Sequence, residues 1–306
     1  MYHIVKALLY LLSLLPWFII YALSDLMYLL AFHVFGYRKR VVYENLQRAF
    51  PELSDAERTR LAKQFYHNFT DTLLETIKII SMSDRAFDRH FKVNEETMSL
   101  ISGIVKSGRT CQIHAMHNFN WEFVNLGVAR ALDVPFLGVY MPLKNRVLER
   151  IFRRFRSRYG TVLVPATAFK RNFEQVEREY AQTAYALALV ADQSPGKPAE
   201  AWWLNFFNTP TAFIPGPERA ARERKLGVVF AHFYKIRRGC YTFDAVVAAE
   251  DASVTMPGEL TLAYARYVEV CIRKQPHNYL WSHRRWKHAY KPEYADRVLE
   301  PLTGIS

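Results

Sequence analysis

Residues 7–35 read ALLYLLSLLPWFIIYALSDLMYLLAFHVF, a run in which only Asp25 and His33 can carry a charge. No other stretch constrains the fold as strongly. A helix of about 20 apolar residues crosses a bilayer core, so the run is long enough to span with tilt. Pro16 predicts a kink. Trp17, Tyr21 and Tyr28 are side chains of the kind that settle at a membrane interface. Arg38, Lys39 and Arg40 follow at once, and an excess of Lys/Arg marks the cytoplasmic flank. Residues 1–37 therefore read as a membrane anchor, either one span or a hairpin in the interface, with 38–306 facing the cytoplasm. A cleaved signal peptide fits less well, because the apolar stretch exceeds the usual length. A buried helix pair would oblige Asp25 to find a partner.

The remaining chain is long enough for one α/β domain. Its 306 residues are 50% apolar, which excludes disorder, and 12 Gly with 14 Pro exclude collagen-like or low-complexity classes. Three scattered Cys, at 111, 240 and 271, give neither a disulfide framework nor a C-x-x-C metal spacing. Forty-one Lys+Arg against 29 Asp+Glu leave a net charge of +12. The partner surface is then anionic: nucleic acid, phosphate groups or acidic lipid.

Helical spacing covers 38–50 and stops at Pro51. Ser54-Asp55-Ala56-Glu57 is a capping box. Leu61, Phe65, Phe69, Leu73 and Ile77 recur every four residues and predict a helix of roughly 25 residues with one buried stripe. A broken helical pattern leads on to Ser107-Gly108. Beyond it the period changes. Residues 110–115, 134–140, 161–164, 184–191, 226–234 and 241–247 read as strands, and 121–132, 145–157, 168–181, 216–224 and 258–274 as helices. That alternation predicts an α/β fold, a mostly parallel or mixed central sheet flanked by helices. Residues 202–217 (WWLNFFNTPTAFIPGP) read as an aromatic-rich loop that lines an acyl groove or meets a membrane.

The chemistry is expected at His117. The strand 110–115 leads into Met116-His117-Asn118-Phe119-Asn120-Trp121-Glu122 and then a helix. Catalytic groups in open α/β sheets collect at such carboxyl ends. Residues five apart on one helix sit about 140° apart. His117 and Glu122 can pair only if His117 lies in the turn and Glu122 in the first helical turn. A neutral imidazole is the usual general base for a hydroxyl, and a carboxylate on its other nitrogen fixes the tautomer. His114 and His117 with Glu122 also raise a zinc site, but no H-E-x-x-H or third ligand spacing accompanies them. No metal is expected, and His114 reads as a satisfied strand histidine. There is no G-x-S-x-G, Walker A or G-x-G-x-x-G sequence.

Residues 145–158 carry six Arg against Glu149 alone. Arg forks grip phosphate or carboxylate, and one of these Arg can stabilise an oxyanion. Asp192-Gln193-Ser194-Pro195-Gly196 follows the strand 184–191, in the same topological position as His117. Residues 276–287 (PHNYLWSHRRWK) interleave basic and aromatic side chains, a pattern that stacks bases or holds the phosphates of a lipid headgroup.

Taken in order, these pieces resemble the bacterial lipid A lauroyl/myristoyl acyltransferase family, within the lysophospholipid and glycerol-3-phosphate acyltransferase superfamily. The resemblance runs over nearly the whole chain. It includes Arg40-Val41-Val42, Ala49-Phe50-Pro51-Glu52, His117-x4-Glu122, Tyr140-x-Pro142-Leu143-x-Asn145, Arg156-x-Arg158-x-Gly160, Asp192-Gln193, Phe206-Phe207, Gly216-Pro217 and Trp281-x-His283-Arg284-Arg285-Trp286-Lys287. Two positions depart from the family pattern, Phe119 and Asn208, where Gly is usual. The resemblance implies an acyltransferase of the bacterial inner membrane with an acyl carrier protein or coenzyme A thioester as donor. The acceptor is a lipid A precursor or related glycolipid, or else a lysophospholipid or hydroxyacyl aminolipid. It gives His117 the role of general base and Glu122 that of its partner. Arg154, Arg156 and Arg158 are expected as oxyanion or phosphate ligands, with either Arg156 or Arg158 matching the family's oxyanion residue, and Asn120, Trp121, Tyr140, Asp192 and Gln193 are expected to bind substrate. No cofactor is expected. A nucleic-acid-binding module and a catalytically silent membrane scaffold are the readings from other classes. The exposed apolar run argues against the first, and an intact His117/Glu122 pair against the second.

Overall fold

Pro16 does more than kink the apolar N-terminus. In the computed structural model, which describes residues 1–167 and 169–304, it separates α1 (Tyr2–Leu14) from α2 (Trp17–Leu29). Ala168, where the expected helix 168–181 begins, and residues 305–306, the end of the expected domain, lie outside the described residues. A π-helical turn, Leu30–Val34, continues α2. Trp17–Val34 is one helix long and apolar enough to cross a membrane. Its inner side is nonetheless committed to protein. Ser24 Oγ donates to Asp71 Oδ1 at 2.8 Å, and Asp25 pairs with Arg238 at 2.6 Å. Tyr28 and Phe32 join a buried cluster with Leu46, Phe65 and Tyr66. Leu8, Leu11, Phe18, Leu26 and Leu29, by contrast, are exposed.

Next come α3 (Lys39–Ala49) and α4 (Asp55–Ile79). The capping box forms at α4: the Ser54 amide donates to Glu57 at 2.8 Å and the Glu57 amide to Ser54 Oγ at 3.3 Å. The four-residue stripe does not stay on the buried face. Four residues turn about 400°, so the stripe advances about 40° per step, and Leu73 emerges 41% exposed. Thr70, Asp71, Thr72, Leu74 and Glu75 occupy the buried face instead, giving the core an unusually polar helix.

After α5 (Asp84–His90), β1 (Phe91–Lys92) and α6 (Glu95–Lys106) the α/β alternation begins. It runs β2 (Cys111–Ala115), α7 (Trp121–Ala131), β3 (Phe136–Tyr140), α8 (Arg146–Arg156), β4 (Val162–Pro165), α9 (Phe169–Glu179) and β5 (Ala186–Val190). Then follow β6 (Trp202–Phe206), β7 (Thr209–Phe213), α10 (Gly216–Glu223), β8 (Gly227–Arg237), β9 (Cys240–Ala249) and α11 (Glu259–Lys274). The seven-stranded sheet has the order β1-β9-β8-β2-β5-β3-β4. Only the β8–β9 pairing is antiparallel, so the sheet is mixed and mostly parallel, as the alternation predicts. One apolar cluster lies around Phe230, Tyr264 and Trp281, and another around Phe123, Phe136 and Phe243.

Residues 202–217 are not a loop. Strands β6 and β7 form a separate antiparallel hairpin around buried Trp203, Leu204 and Phe206. Phe207 and Asn208 make its two-residue turn with φ of 50° and 53°. Positive φ at both central positions is the hairpin turn whose twist matches the strands. Asn tolerates that region better than other side chains, which suits Asn208 to the second turn position. Strict alternation was masked here because both faces of β6 are buried.

Candidate active site

Parallel strands β2 and β5 are neighbours, with Ala115 opposite Val190. His117 and Asp192 each lie two residues beyond that pair, so the register itself brings them together. Asp192 Oδ1 lies 2.7 Å from His117 Nδ1, and Oδ2 accepts the His117 backbone amide at 3.2 Å. Asp192 is fully buried. Burial pushes its carboxyl up, but the His117 ring and the bonds from His117 outweigh that and hold it below the ordinary range.

This geometry fixes the imidazole tautomer. A carboxylate only accepts, so Nδ1 carries the proton and Nε2 the lone pair. Gln193 Nε2 sits 2.9 Å from His117 Nε2, and its amide must donate there. Proton-accepting capacity therefore points away from Asp192, the arrangement a general base needs.

Glu122 is not the partner of His117. Its carboxylate accepts from Arg156 Nε at 3.0 and 3.1 Å and from Trp121 Nε1 at 3.2 Å. Glu122 lies in the first turn of α7, and Arg156 at the end of α8 reaches it. Burial works against the Arg156 charge, and Glu122 more than offsets it, raising its pKa above the ordinary value. Arg156 Nη1 makes no hydrogen bond among the described residues, so two donors remain for a substrate. Cation–π contacts with Tyr140 and Phe152 hold the guanidinium in place.

The other arginines go elsewhere. Arg154 lies on the solvent side of α8. Arg158 turns away to Asp84 at 3.0 Å. The helix repeat sets Arg154 about 200° from Arg156, and Arg158 lies beyond the end of α8. Asn120 is buried away from the cavity. Its Oδ1 caps α7 by accepting the Glu122 amide at 3.1 Å, and its Nδ2 donates to buried Glu75 at 3.2 Å. His114 is buried beside the site, but its Nε2 has no partner among the described residues. Burial pushes its pKa down to about 3. Among the described residues no group of three or more His, Cys, Asp or Glu is arranged to hold a metal ion.

His117, Trp121, Glu122, Tyr140, Arg156 and Gln193 all line one cavity of about 590 Å³. The rest of its wall is mainly apolar, including Val124, Val128, Phe136, Leu163, Leu189, Phe233 and Phe243. Tyr140 donates to Glu149 at 2.7 Å, which steadies the rim. Ligand pockets of about 300–1,000 Å³ with a few convergent polar groups are the usual form of a small-molecule site. This one suits a long apolar chain with a reactive end at His117.

Residues 276–287 brace the site. The Phe119 amide donates to the Asn278 carbonyl and the Leu280 amide to the His117 carbonyl, each at 3.0 Å. Phe119 is buried against Phe65 and Trp121. Tyr279, Trp281 and Arg285 are buried, so these two rings are not displayed for base stacking, while Trp286 is half-buried. Asp192 was legible as a site residue, but its partnership with His117 depends on β2 and β5 being adjacent.

Similarity to known proteins runs over nearly the whole chain. The family model for bacterial lipid A biosynthesis acyltransferases matches residues 1–288. The lipid A biosynthesis lauroyltransferase of Escherichia coli K12 is 24% identical over 277 residues, covering 89% of this chain and 87% of that enzyme.

Proposed function

The chain belongs to the bacterial lipid A biosynthesis acyltransferase family, and from that premise we propose that it moves a fatty acyl chain from an acyl thioester to a hydroxyl of a phosphorylated lipid A precursor. The donor is an acyl carrier protein or coenzyme A thioester. The observation that carries this reading is the His117–Asp192 pair at the rim of an apolar cavity.

His117 Nε2 takes the proton of the acceptor hydroxyl as its oxygen attacks the thioester carbonyl. Asp192 orients the ring and stabilises the imidazolium that forms. Gln193 marks where the hydroxyl sits, since it already occupies the Nε2 lone pair. Arg156 Nη1 donates to the oxyanion, and Glu122 acts through Arg156 by holding that guanidinium in place. Collapse breaks the carbon–sulfur bond, and the imidazolium returns its proton to the leaving thiolate. Trp121 and Tyr140 line the acyl channel.

The protein works at the bacterial inner membrane, facing the cytoplasm. Leu8, Leu11, Phe18, Leu26 and Leu29 form an exposed apolar surface, while Asp25 and Ser24 bind the domain behind it. That two-sidedness favours a hairpin lying in the interface over an isolated span.

The test supplies purified protein with labelled acyl carrier protein or acyl-coenzyme A. Acceptors are a phosphorylated lipid A precursor, a lysophospholipid and a hydroxyacyl aminolipid. A product one acyl ester heavier, formed from the lipid A precursor, supports the reading. Transfer only to another acceptor overturns it.

A further inference from the structure

A second cavity, of about 320 Å³, shares no lining residue with the acyl cavity. Arg40 and Arg48 of α3 and Arg284 and Lys287 of the C-terminal segment line it, with Glu44 the one acid. We infer that this basic pocket is the subsite for a phosphate group of the acceptor glycolipid. The inference rests on the acyltransferase reading and adds to it the feature of the acceptor that is recognised.

Charge is the first reason. Arg40 pairs with Glu44 at 2.7 Å. The Arg40 bond holds Glu44 below the ordinary carboxylate range, and Arg48 and Arg284 act in the same direction. Three guanidinium groups thus surround one carboxylate, and Arg284 and Lys287 have no ion-pair partner among the described residues. A phosphate offers further negative charge and several acceptor oxygens to such a cluster.

The walls are also fixed in advance. Buried Asn45 donates to the carbonyls of Trp281 and His283, both at 2.7 Å, and Arg48 donates to the Trp286 carbonyl at 3.2 Å. Helix α3 and the segment carrying Arg284 are therefore locked together before any ligand arrives.

Position is the third reason. Helix α3 follows directly on the apolar helix, after exposed Val34, Phe35 and Tyr37, so Arg40 lies six residues along the chain from Val34 of that apolar surface. The segment carrying Arg284 is tied to the catalytic loop: Ser194 Oγ–H is shared between the Arg285 carbonyl at 2.6 Å and the Arg284 carbonyl at 2.9 Å, and the Ser194 amide donates to His283 Nε2 at 3.1 Å. Ser194 follows Gln193, which holds His117 Nε2. A phosphate seated here places the adjoining part of the acceptor beside the base, leaving the apolar cavity to the incoming acyl chain.

The experiment compares wild type with the double variant Arg284→Gln/Lys287→Gln. Equilibrium binding in detergent is measured for a phosphorylated lipid A precursor and for the same lipid after phosphatase treatment. Co-sedimentation with phosphatidylglycerol/phosphatidylcholine vesicles is measured in parallel, and circular dichroism checks the fold. The expected result is a loss of about tenfold in affinity for the phosphorylated lipid, with the dephosphorylated lipid and vesicle sedimentation unaffected. Equal loss for both lipids, no loss for either, or loss of vesicle sedimentation in its place overturns the proposal, the last by assigning the pocket to bulk anionic lipid. Binding is read without turnover. A wild type that transfers no acyl chain would sink the functional reading while the binding comparison still judged the pocket.

Discussion

Replacing Asp192 by Asn keeps the size of the side chain and removes what His117 needs from it. The carboxylate accepts two bonds from one residue, the ring Nδ1–H at 2.7 Å and the backbone amide at 3.2 Å. An amide has one acceptor oxygen. If that oxygen stays on the ring, the NH2 group faces the His117 amide, donor against donor. If it turns, the NH2 group faces Nδ1 and drives the ring proton to Nε2, where the acceptor hydroxyl needs a lone pair. Both arrangements also lose the buried negative charge beside the imidazolium. The same exchange in a buried His–carboxylate pair of a serine protease lowers kcat about 10⁴-fold, about 5.4 kcal/mol at 1.36 kcal/mol per decade. Asp192→Asn is therefore expected to lower kcat roughly 10³–10⁴-fold, with the acceptor and donor KM little changed. Initial rates of acyl transfer under saturating donor measure this. An Asp192→Asn enzyme within tenfold of wild type, beside a Glu122→Gln enzyme that falls further, would refute the assignment of Asp192 to His117.

Other consequences follow from the same contacts. Glu122→Ala strands the Arg156 guanidinium, which is 16% exposed, and should cost about 3–5 kcal/mol; in urea unfolding the double variant Glu122→Ala/Arg156→Ala should lose less than the sum of the singles. A methyl group at Gly138 would meet Thr161 Cγ2 at 3.4 Å, ordinary contact, on the wall of the acyl cavity. Gly138→Ala should therefore fold normally and Gly138→Leu should shift preference to shorter acyl donors, which a donor panel of graded length would reveal. Burial pushes His232 down to about 4, against about 6.5 in an unfolded chain. Between those values the unfolded state binds a proton that the folded state refuses, so stability falls as pH falls through that window. Thermal unfolding of His232→Gln between pH 7 and 4.5 should show a dependence flatter by about one proton, and an unchanged slope would contradict this. Phe18→Glu/Phe35→Glu places charge on the exposed apolar surface, where both side chains are over 70% exposed; it should abolish vesicle binding while leaving circular dichroism unchanged.

The alternation of short apolar runs and helical stretches located β2, β3, β4 and β5 to within two residues, because buried parallel strands read as continuous apolar runs; it ended β8 three residues early and missed β1, whose two residues are too short to show a period. Period failed where burial was two-sided or where a helix buried polar side chains. The β6–β7 hairpin resembled a loop because aromatic residues fill both of its faces. On α4, Asp71 and Glu75 face inward, carrying the bonds from Ser24, Arg238, Asn120 and Tyr241, so an apolar stripe could not mark the buried side. At the candidate site, the strand ends bearing His117 and Asp192 were both visible as positions where chemistry collects. Their pairing was not, since sequence spacing favours the near carboxylate of Glu122 over one 75 residues away. The order of strands in the sheet decides that contest, and strand order is a long-range property. Arg156 differs from Arg154 and Arg158 by the face of α8 and its end, a distinction that follows only once the partner helix α7 is in place.

The most direct test of the central claim is acyl transfer to the phosphorylated lipid A precursor by wild type and by His117→Ala, purified side by side and matched for thermal unfolding. A positioned general base contributes about 10²–10⁴-fold. The expected result is a wild type that yields the precursor bearing one more acyl ester, and a folded His117→Ala protein that loses at least about a hundredfold of that rate. A His117→Ala protein that transfers acyl chains at the wild-type rate would contradict the account.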